Sequence, residues 1–221
     1  MYRKNVFQNR IAKIRKLYLT LSDKIKIRLN EFKQLWQEGN DAAIFTELVF
    51  CILTPQSKAK TCFKCVENIL YKNLLLKGDE NQFAKELKGV RFKYKKAKYI
   101  IEARKKFLKN GKLSIKRQIA QFCDVHKTRD WLVAYIKGIG YKEASHFLRN
   151  IGLGNELAIL DRHILKNLQW LGVIEDVPNA LSKKKYLEIE NRMKNFAEKI
   201  RIPISHLDFV LWYKETGEIF K

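Results

Sequence analysis

The chain has 221 residues, with 45 Lys+Arg against 23 Asp+Glu and a formal net charge of +22. That length suits one compact domain, or two lobes sharing one core. No apolar run approaches the roughly eighteen residues of a membrane span, and MYRKNVFQNR lacks an apolar signal core, so an intracellular protein of the cytoplasm or nucleoid is expected. So large a positive excess favours a polyanionic partner, nucleic acid first. A thermophile-like charged surface explains part of the charge, but not its lopsided sign.

Taken in order, the chain reads as helix after helix. Ile11, Ile14, Leu17 and Tyr18 share one apolar face, and Ile25, Leu29, Phe32 and Trp36 share another, with Ser22 a candidate cap between two helices. Gly39 and Asp41 break the chain before residues 42–53, a stretch apolar almost all round that predicts a central buried helix ended by Pro55. Residues 57–70 form a third amphipathic pattern. Ala97, Ile100, Ile101, Phe107 and Leu108 mark a further helix, whose outer face (Lys95, Lys96, Arg104, Lys105, Lys106) is basic and suits either solvent or a phosphate track. Tyr186, Ile189, Met193, Phe196 and Ile200 predict a long late helix, and Ser205-x-x-Asp208 resembles a capping box opening the last one. No strand alternation or repeat stands out. The expected fold class is all-α.

The four cysteines do not form a ligand set. Cys62-Phe63-Lys64-Cys65 has C-x-x-C spacing, but no second C-x-x-C or His pair accompanies it. Both read as reduced thiols inside a helix, and no metal site is expected.

The centre of the sequence is residues 128–165. A short helix over 131–136, capped by Thr128 or Asp130, runs into Lys137-Gly138-Ile139-Gly140, and a second helix starts near Tyr141. Ala144, Phe147, Leu148 and Ile151 lie on one face of it, and Gly152 stops it. Two glycines around one apolar residue permit positive φ and close approach, so the pattern is a helix-hairpin-helix whose turn amides suit a phosphate. Lys142 follows Gly140 by two residues, and Asp161 comes nineteen residues later, at the end of the apolar run Ala158-Ile159-Leu160. An amine and a carboxylate so placed suit cleavage of a glycosidic bond in DNA. The amine attacks C1′ and forms a Schiff base, and the carboxylate stabilises the oxocarbenium-like sugar. Singly, Lys142 is a solvated helix lysine and Asp161 a plain N-cap.

Lys137 to Lys142, followed by Leu160-Asp161-Arg162-His163, resembles the helix-hairpin-helix DNA glycosylase superfamily in its branch with a lysine nucleophile. Leu53-Thr54-Pro55-Gln56 resembles that superfamily's L-[ST]-x-Q stretch, and the ending LWYKETGEIFK is similar to the archaeal-type (type 2) 8-oxoguanine DNA glycosylases. The resemblance implies two helical lobes, about 41–164 and about 1–40 plus 165–221, with an active-site groove between them. It implies Lys142 as nucleophile and Asp161 as its acidic partner. Gly138 and Gly140 would give amides to a phosphate, with a monovalent cation on the hairpin carbonyls, and His163 would touch phosphate. Gln56 would enter the hole left by the flipped nucleotide. His146 stands where another branch has a cysteine under the base, so the pocket must differ there. An iron–sulfur cluster is not expected, because no cysteine follows Cys123. The expected partner is duplex DNA carrying 8-oxoguanine or an abasic site, bound by a monomer. Recognising 8-oxoguanine takes acceptors for its N1, N2 and N7 donors, which the α-carboxylate of Lys221 supplies beside the stacking face of Trp212. Two alternatives stay open: the same chemistry on another damaged or mismatched base, or a non-catalytic DNA-binding hairpin module.

Overall fold

The computed structural model describes residues 2–221, with side chains from Phe7 onward. Helix α1, Tyr2–Glu38, is continuous where two helices were expected, and Ser22 lies inside it. The physical reason is that Ile11, Ile14, Leu21, Ile25 and Phe32, all buried, recur at helical spacing on one stripe, with no Gly or Pro to interrupt it. The chain then divides into two compact units, Phe32–Leu153 and the stretch up to Glu31 together with Gly154–Lys221. The divisions fall at 31/32 and 153/154, where the expected lobes were about 41–164 and about 1–40 plus 165–221. The first division falls inside the unbroken α1, and Asp161 opens a helix of the second unit.

In the 32–153 unit, helix α2, Asp41–Leu53, starts at Asn40, whose side chain accepts from Ala43 N–H at 2.9 Å. It buries nine residues, as its nearly all-apolar sequence predicts. Helices α3 (Ala59–Tyr71), α4 (Leu74–Lys77), α5 (Glu80–Glu86) and α6 (Lys93–Phe107) follow. A two-stranded ladder, β1 (Leu108–Lys109) with β2 (Lys112–Leu113), was not expected. Its signal is Asn110-Gly111, both at positive φ, the residue pair that a tight hairpin turn demands. Helices α7 (Ile115–Ile119), α8 (Val125–Tyr135) and α9 (Tyr141–Asn150) complete the unit, and α2 packs against α3, α6, α7 and α9.

The second unit gathers the first part of α1 with α10 (Arg162–Trp170), α11 (Lys183–Lys199) and α12 (Ile204–Thr216). Helix α12 opens at Pro203 with no side-chain cap, so the expected Ser205-x-x-Asp208 box is not formed. Ser205 and Asp208 are both buried within the helix instead. Gly217, at φ +76, closes it as a left-handed C-cap. Among the described residues, no helix is long and apolar enough to cross a membrane.

Gly152 ends α9 where the chain passes the backbone of α1 within the 32–153 unit. Its φ is +77, and a Cβ there would lie 2.6 Å from Lys33 Cα and 2.7 Å from Phe32 O. Since backbone cannot yield as a flexible side chain does, Gly152→Ala is expected to cost about 2–4 kcal/mol of stability. Equilibrium denaturant unfolding checks this, and a loss below about 1 kcal/mol would show that α1 gives way.

Candidate active site

The hairpin forms as the glycine spacing predicts, with one shift at its start. Helix α8 begins at Val125 and is capped by Asp124, whose Oδ1 accepts from His126 N–H at 2.6 Å, not by Thr128 or Asp130. Those two serve the hairpin in other ways: Thr128 Oγ1 donates to Asp124 O at 2.9 Å, and Asp130 accepts from the Tyr141 hydroxyl across the turn. Arg129, 1% exposed, donates to Ser145 Oγ at 3.1 Å and stacks on the Tyr141 ring, which fixes α8 against α9. Gly138 has φ +83, and a Cβ there would lie 2.6 Å from the Tyr99 ring. Only glycine fits that turn.

Gly140 is the N-cap of α9, and its N–H donates to Glu143 Oε2 at 3.2 Å. The other carboxylate oxygen, Oε1, lies 3.2 Å from Lys142 Nζ, with the Lys142 side chain 24% exposed. Glu143 therefore closes the helix start and holds the candidate nucleophile at once. Sequence reading missed it, although glutamate at the third position of a helix is the residue of a capping box. On the hairpin oxygens, Ile136 O accepts from Ile139 N–H at 3.3 Å, which leaves its second lone pair for the expected monovalent cation. That cation would bind and orient the turn.

Lys96 differs from its sequence expectation. It was assigned to the outer basic face, but it is 5% exposed and points inward. Its Nζ donates to Leu53 O and Pro55 O, each at 2.7 Å. The signal was present: positions 96, 100, 103 and 107 form one helical stripe with Ile100, Ala103 and Phe107, all buried. Cys62 shares this region, its Sγ 3.2 Å from Leu53 O, and burial pushes its thiol up to about 11. Lys142, Glu143, Lys96 and Cys62 thus form one electrostatic neighbourhood, in which Cys62 stays uncharged near neutral pH. Gln56, exposed and at φ +54, sits on the turn that Lys96 grips. His146 is 7% exposed on α9, with its ring edge-on to Phe50 at 5.7 Å.

The second unit carries the other candidates. Asp161 is the N-cap of α10, its Oδ1 accepting from Ile164 N–H at 2.8 Å. Its approach is fixed by two buried side chains of α11. Tyr186 Oη donates to Ala158 O at 2.6 Å and accepts from Leu160 N–H at 3.3 Å, while Glu190 accepts from Ala158 N–H at 2.8 Å. His163 stands edge-on to Trp212 at 5.1 Å. The buried Trp212 Nε1 donor has no hydrogen-bond partner among the described residues. Glu215 lies below the usual carboxylate range, chiefly because Lys214 hydrogen-bonds to it, and it also accepts from Asn167. After Gly217 the tail is half-buried through Lys221.

The sequence profile of the 8-oxoguanine DNA glycosylase family matches residues 25–202. This chain belongs to that family. An 8-oxoguanine DNA glycosylase/AP lyase of Fusobacterium nucleatum is 46% identical over 219 residues, covering 99% of this chain and 100% of that protein. A crystal structure of the Methanocaldococcus jannaschii 8-oxoguanine glycosylase/lyase, in complex with a 15mer DNA containing 8-oxoguanine, is 38% identical with a TM-score of 0.86, over 96% of this chain and 99% of that one. The 8-oxoguanine DNA glycosylase of Thermotoga maritima gives a TM-score of 0.86 at 33% identity, over 97% of this chain and 100% of that one. The family membership and the all-α fold expected from the hairpin and its flanking motifs are both met.

The thiols give a direct test of the neighbourhood behind Lys142. Cys51, Cys62 and Cys65 are buried and Cys123 is exposed. At pH 8 the native protein is expected to react rapidly with a thiol reagent at Cys123 alone. The Cys62 pKa is raised by folding from 9.0 to about 11, so its contribution to stability is present below pH 9 and lost as pH rises through 11. Unfolding midpoints at pH 8 and pH 10.5 should therefore converge more in Cys62→Ala than in wild type; parallel falls would contradict the burial of this thiol.

Proposed function

We propose that this chain is a bifunctional DNA glycosylase/AP lyase that removes 8-oxoguanine from duplex DNA and then cleaves the strand. It acts as a monomer on the DNA of the cell interior, and also on pre-formed abasic sites. The observation that carries this reading is the placement of Lys142. It projects from the first turn of α9, two residues past Gly140, with its ammonium 3.2 Å from Glu143.

The chemistry follows from an amine and a carboxylate. Once its ammonium has given up a proton, Lys142 Nζ bonds to C1′ as the bond from C1′ to the base breaks, and the base leaves with a second proton from the nitrogen. Asp161 stabilises the cationic character that develops on the sugar during this exchange. Opening of the ring breaks the C1′–O4′ bond, O4′ takes up a proton, and the lone pair of Nζ forms the iminium with C1′. Loss of a C2′ proton then expels the 3′ phosphate, and water releases the amine. Hydrogen bonding to Ile164 N–H fixes the Asp161 carboxylate, so its role as a helix cap also positions it for the reaction. Trp212, Lys221 and His146 are assigned to the base, and Gly138, Gly140, His163 and Gln56 to the DNA around it. At Gly140, a phosphate and the Glu143 carboxylate compete for one amide.

Borohydride trapping on a duplex with a single 8-oxoguanine tests the assignment. Lys142→Gln is expected to bind that duplex and give no trapped complex, whereas trapping at the wild-type rate would remove Lys142 from the mechanism. Asp161→Asn is expected to bind normally and lose about 100-fold or more in excision rate. A loss of stability with catalysis intact would leave Asp161 as a cap only.

The basic surface predicts a second property. With a net charge of +22, affinity for undamaged duplex should fall by roughly 0.9 log units per tenfold salt for each phosphate neutralised. Fluorescence anisotropy over a salt series measures the slope, and an affinity insensitive to salt would exclude phosphate contacts as its source.

A further inference from the structure

Lys96 is a buried ammonium that the reaction itself does not use. Burial disfavours its charge, and an apolar side chain of the same length would fill the space without that cost. What the charge does is set by its acceptors. Nζ reaches Leu53 O and Pro55 O at 2.7 Å and Ser57 Oγ at 3.1 Å, so three oxygens take the three donors.

Those oxygens belong to the end of α2 and one β-turn. Thr54-Pro55-Gln56-Ser57 closes with Ser57 N–H donating to Thr54 O at 3.0 Å, with proline second and Gln56 third. Two common turns accept proline second. Type I holds the third residue at negative φ, and type II holds it at positive φ, a place that favours glycine. Gln56 is at φ +54, so the turn has the type II hand with a long polar side chain in the glycine position. Types I and II differ by rotation of the peptide between the second and third residues, whose carbonyl here is Pro55 O. That oxygen is one of the two that Lys96 holds most closely. Ser57 Oγ also accepts from Arg91 N–H at 3.0 Å, which ties the turn to the segment before α6. A strained residue persists where its surroundings over-determine it, and the ammonium supplies that constraint.

We propose that Lys96 is a positioning residue, which locks the type II turn and so presents Gln56 to the strand opposite the lesion. The proposal rests on the activity proposed above and assigns a device to it. Without the ammonium the Pro55–Gln56 peptide rotates, φ of Gln56 relaxes to negative values, and the side chain is re-aimed.

The test is a double-mutant cycle on single-turnover excision of 8-oxoguanine, with Lys96→Met, Gln56→Ala and the pair. Lys96→Met is expected to lose about tenfold or more, and the double variant to be no slower than the slower single one. Losses that multiply, or wild-type excision by Lys96→Met, overturn the role. A 2-aminopurine placed opposite an abasic-site analogue reads the geometry directly. Its emission should rise on binding wild type and stay low with either single variant, whereas a rise with Lys96→Met equal to wild type overturns the lock. Should Lys96→Met fail to fold, Ser57→Ala removes one acceptor and is expected to give a reduced rise; a full rise overturns the proposal. A wild-type protein that excises no 8-oxoguanine, with both variants still losing the 2-aminopurine signal, refutes the activity and leaves the turn assignment standing.

Discussion

Helix α2 is buried along almost its whole length, and a buried helix must settle its polar ends without water. At its start Asn40 caps Ala43, while Asp41 accepts from Lys116 N–H at 2.8 Å. At its end Thr54 Oγ1 donates to Cys51 O, and both Cys62 Sγ and Lys96 Nζ donate to Leu53 O. Midway, Glu47 accepts from Asn150 Nδ2 at 3.2 Å, which ties α2 to the end of α9. The satisfaction of one apolar helix thereby fixes the Gln56 turn at one end and the helix bearing Lys142 at its side.

Charge is placed with the same economy around the hairpin. The amine proposed as nucleophile is held in order by the chain itself. Glu143 does this by bonding the Gly140 amide through one oxygen and Lys142 through the other. A carboxylate at the start of α9 also suits the helix dipole, so the arrangement is favourable in the free protein. In the proposed role of Gly140, a DNA phosphate seeking the same amide would meet a negative charge already there, and its approach would bear directly on the ion pair that holds Lys142.

In the second unit, order is imposed on the acid through the backbone. Residues 158–160 are buried, Asp161 N–H turns back to Ile159 O at 2.8 Å, and Tyr186 and Glu190 take up other polar groups of that segment. Asp161 emerges from it as an N-cap, a geometry that costs nothing extra because the helix needs an acceptor there. Capping and the proposed stabilisation of a sugar cation are therefore compatible demands on one carboxylate.

Local chemistry was enough to read much of this from the sequence. The glycines of the hairpin, the stop at Gly152 and the apolar α2 all follow from backbone conformation and short-range periodicity. Even the continuity of α1 is encoded, in Leu21, which is buried and bridges the two apolar faces on either side of Ser22. Tertiary structure decided which way polar residues on a helix face. Lys96 turns inward because carbonyls some forty residues earlier need a donor, and Ser205 and Asp208 are buried within a helix that Pro203 starts. Glu143 was legible as a cap, but only the folded hairpin brings its second oxygen to Lys142. Periodicity measures a residue's place on its own helix, whereas the partner that makes burying a charge favourable comes from elsewhere in the chain.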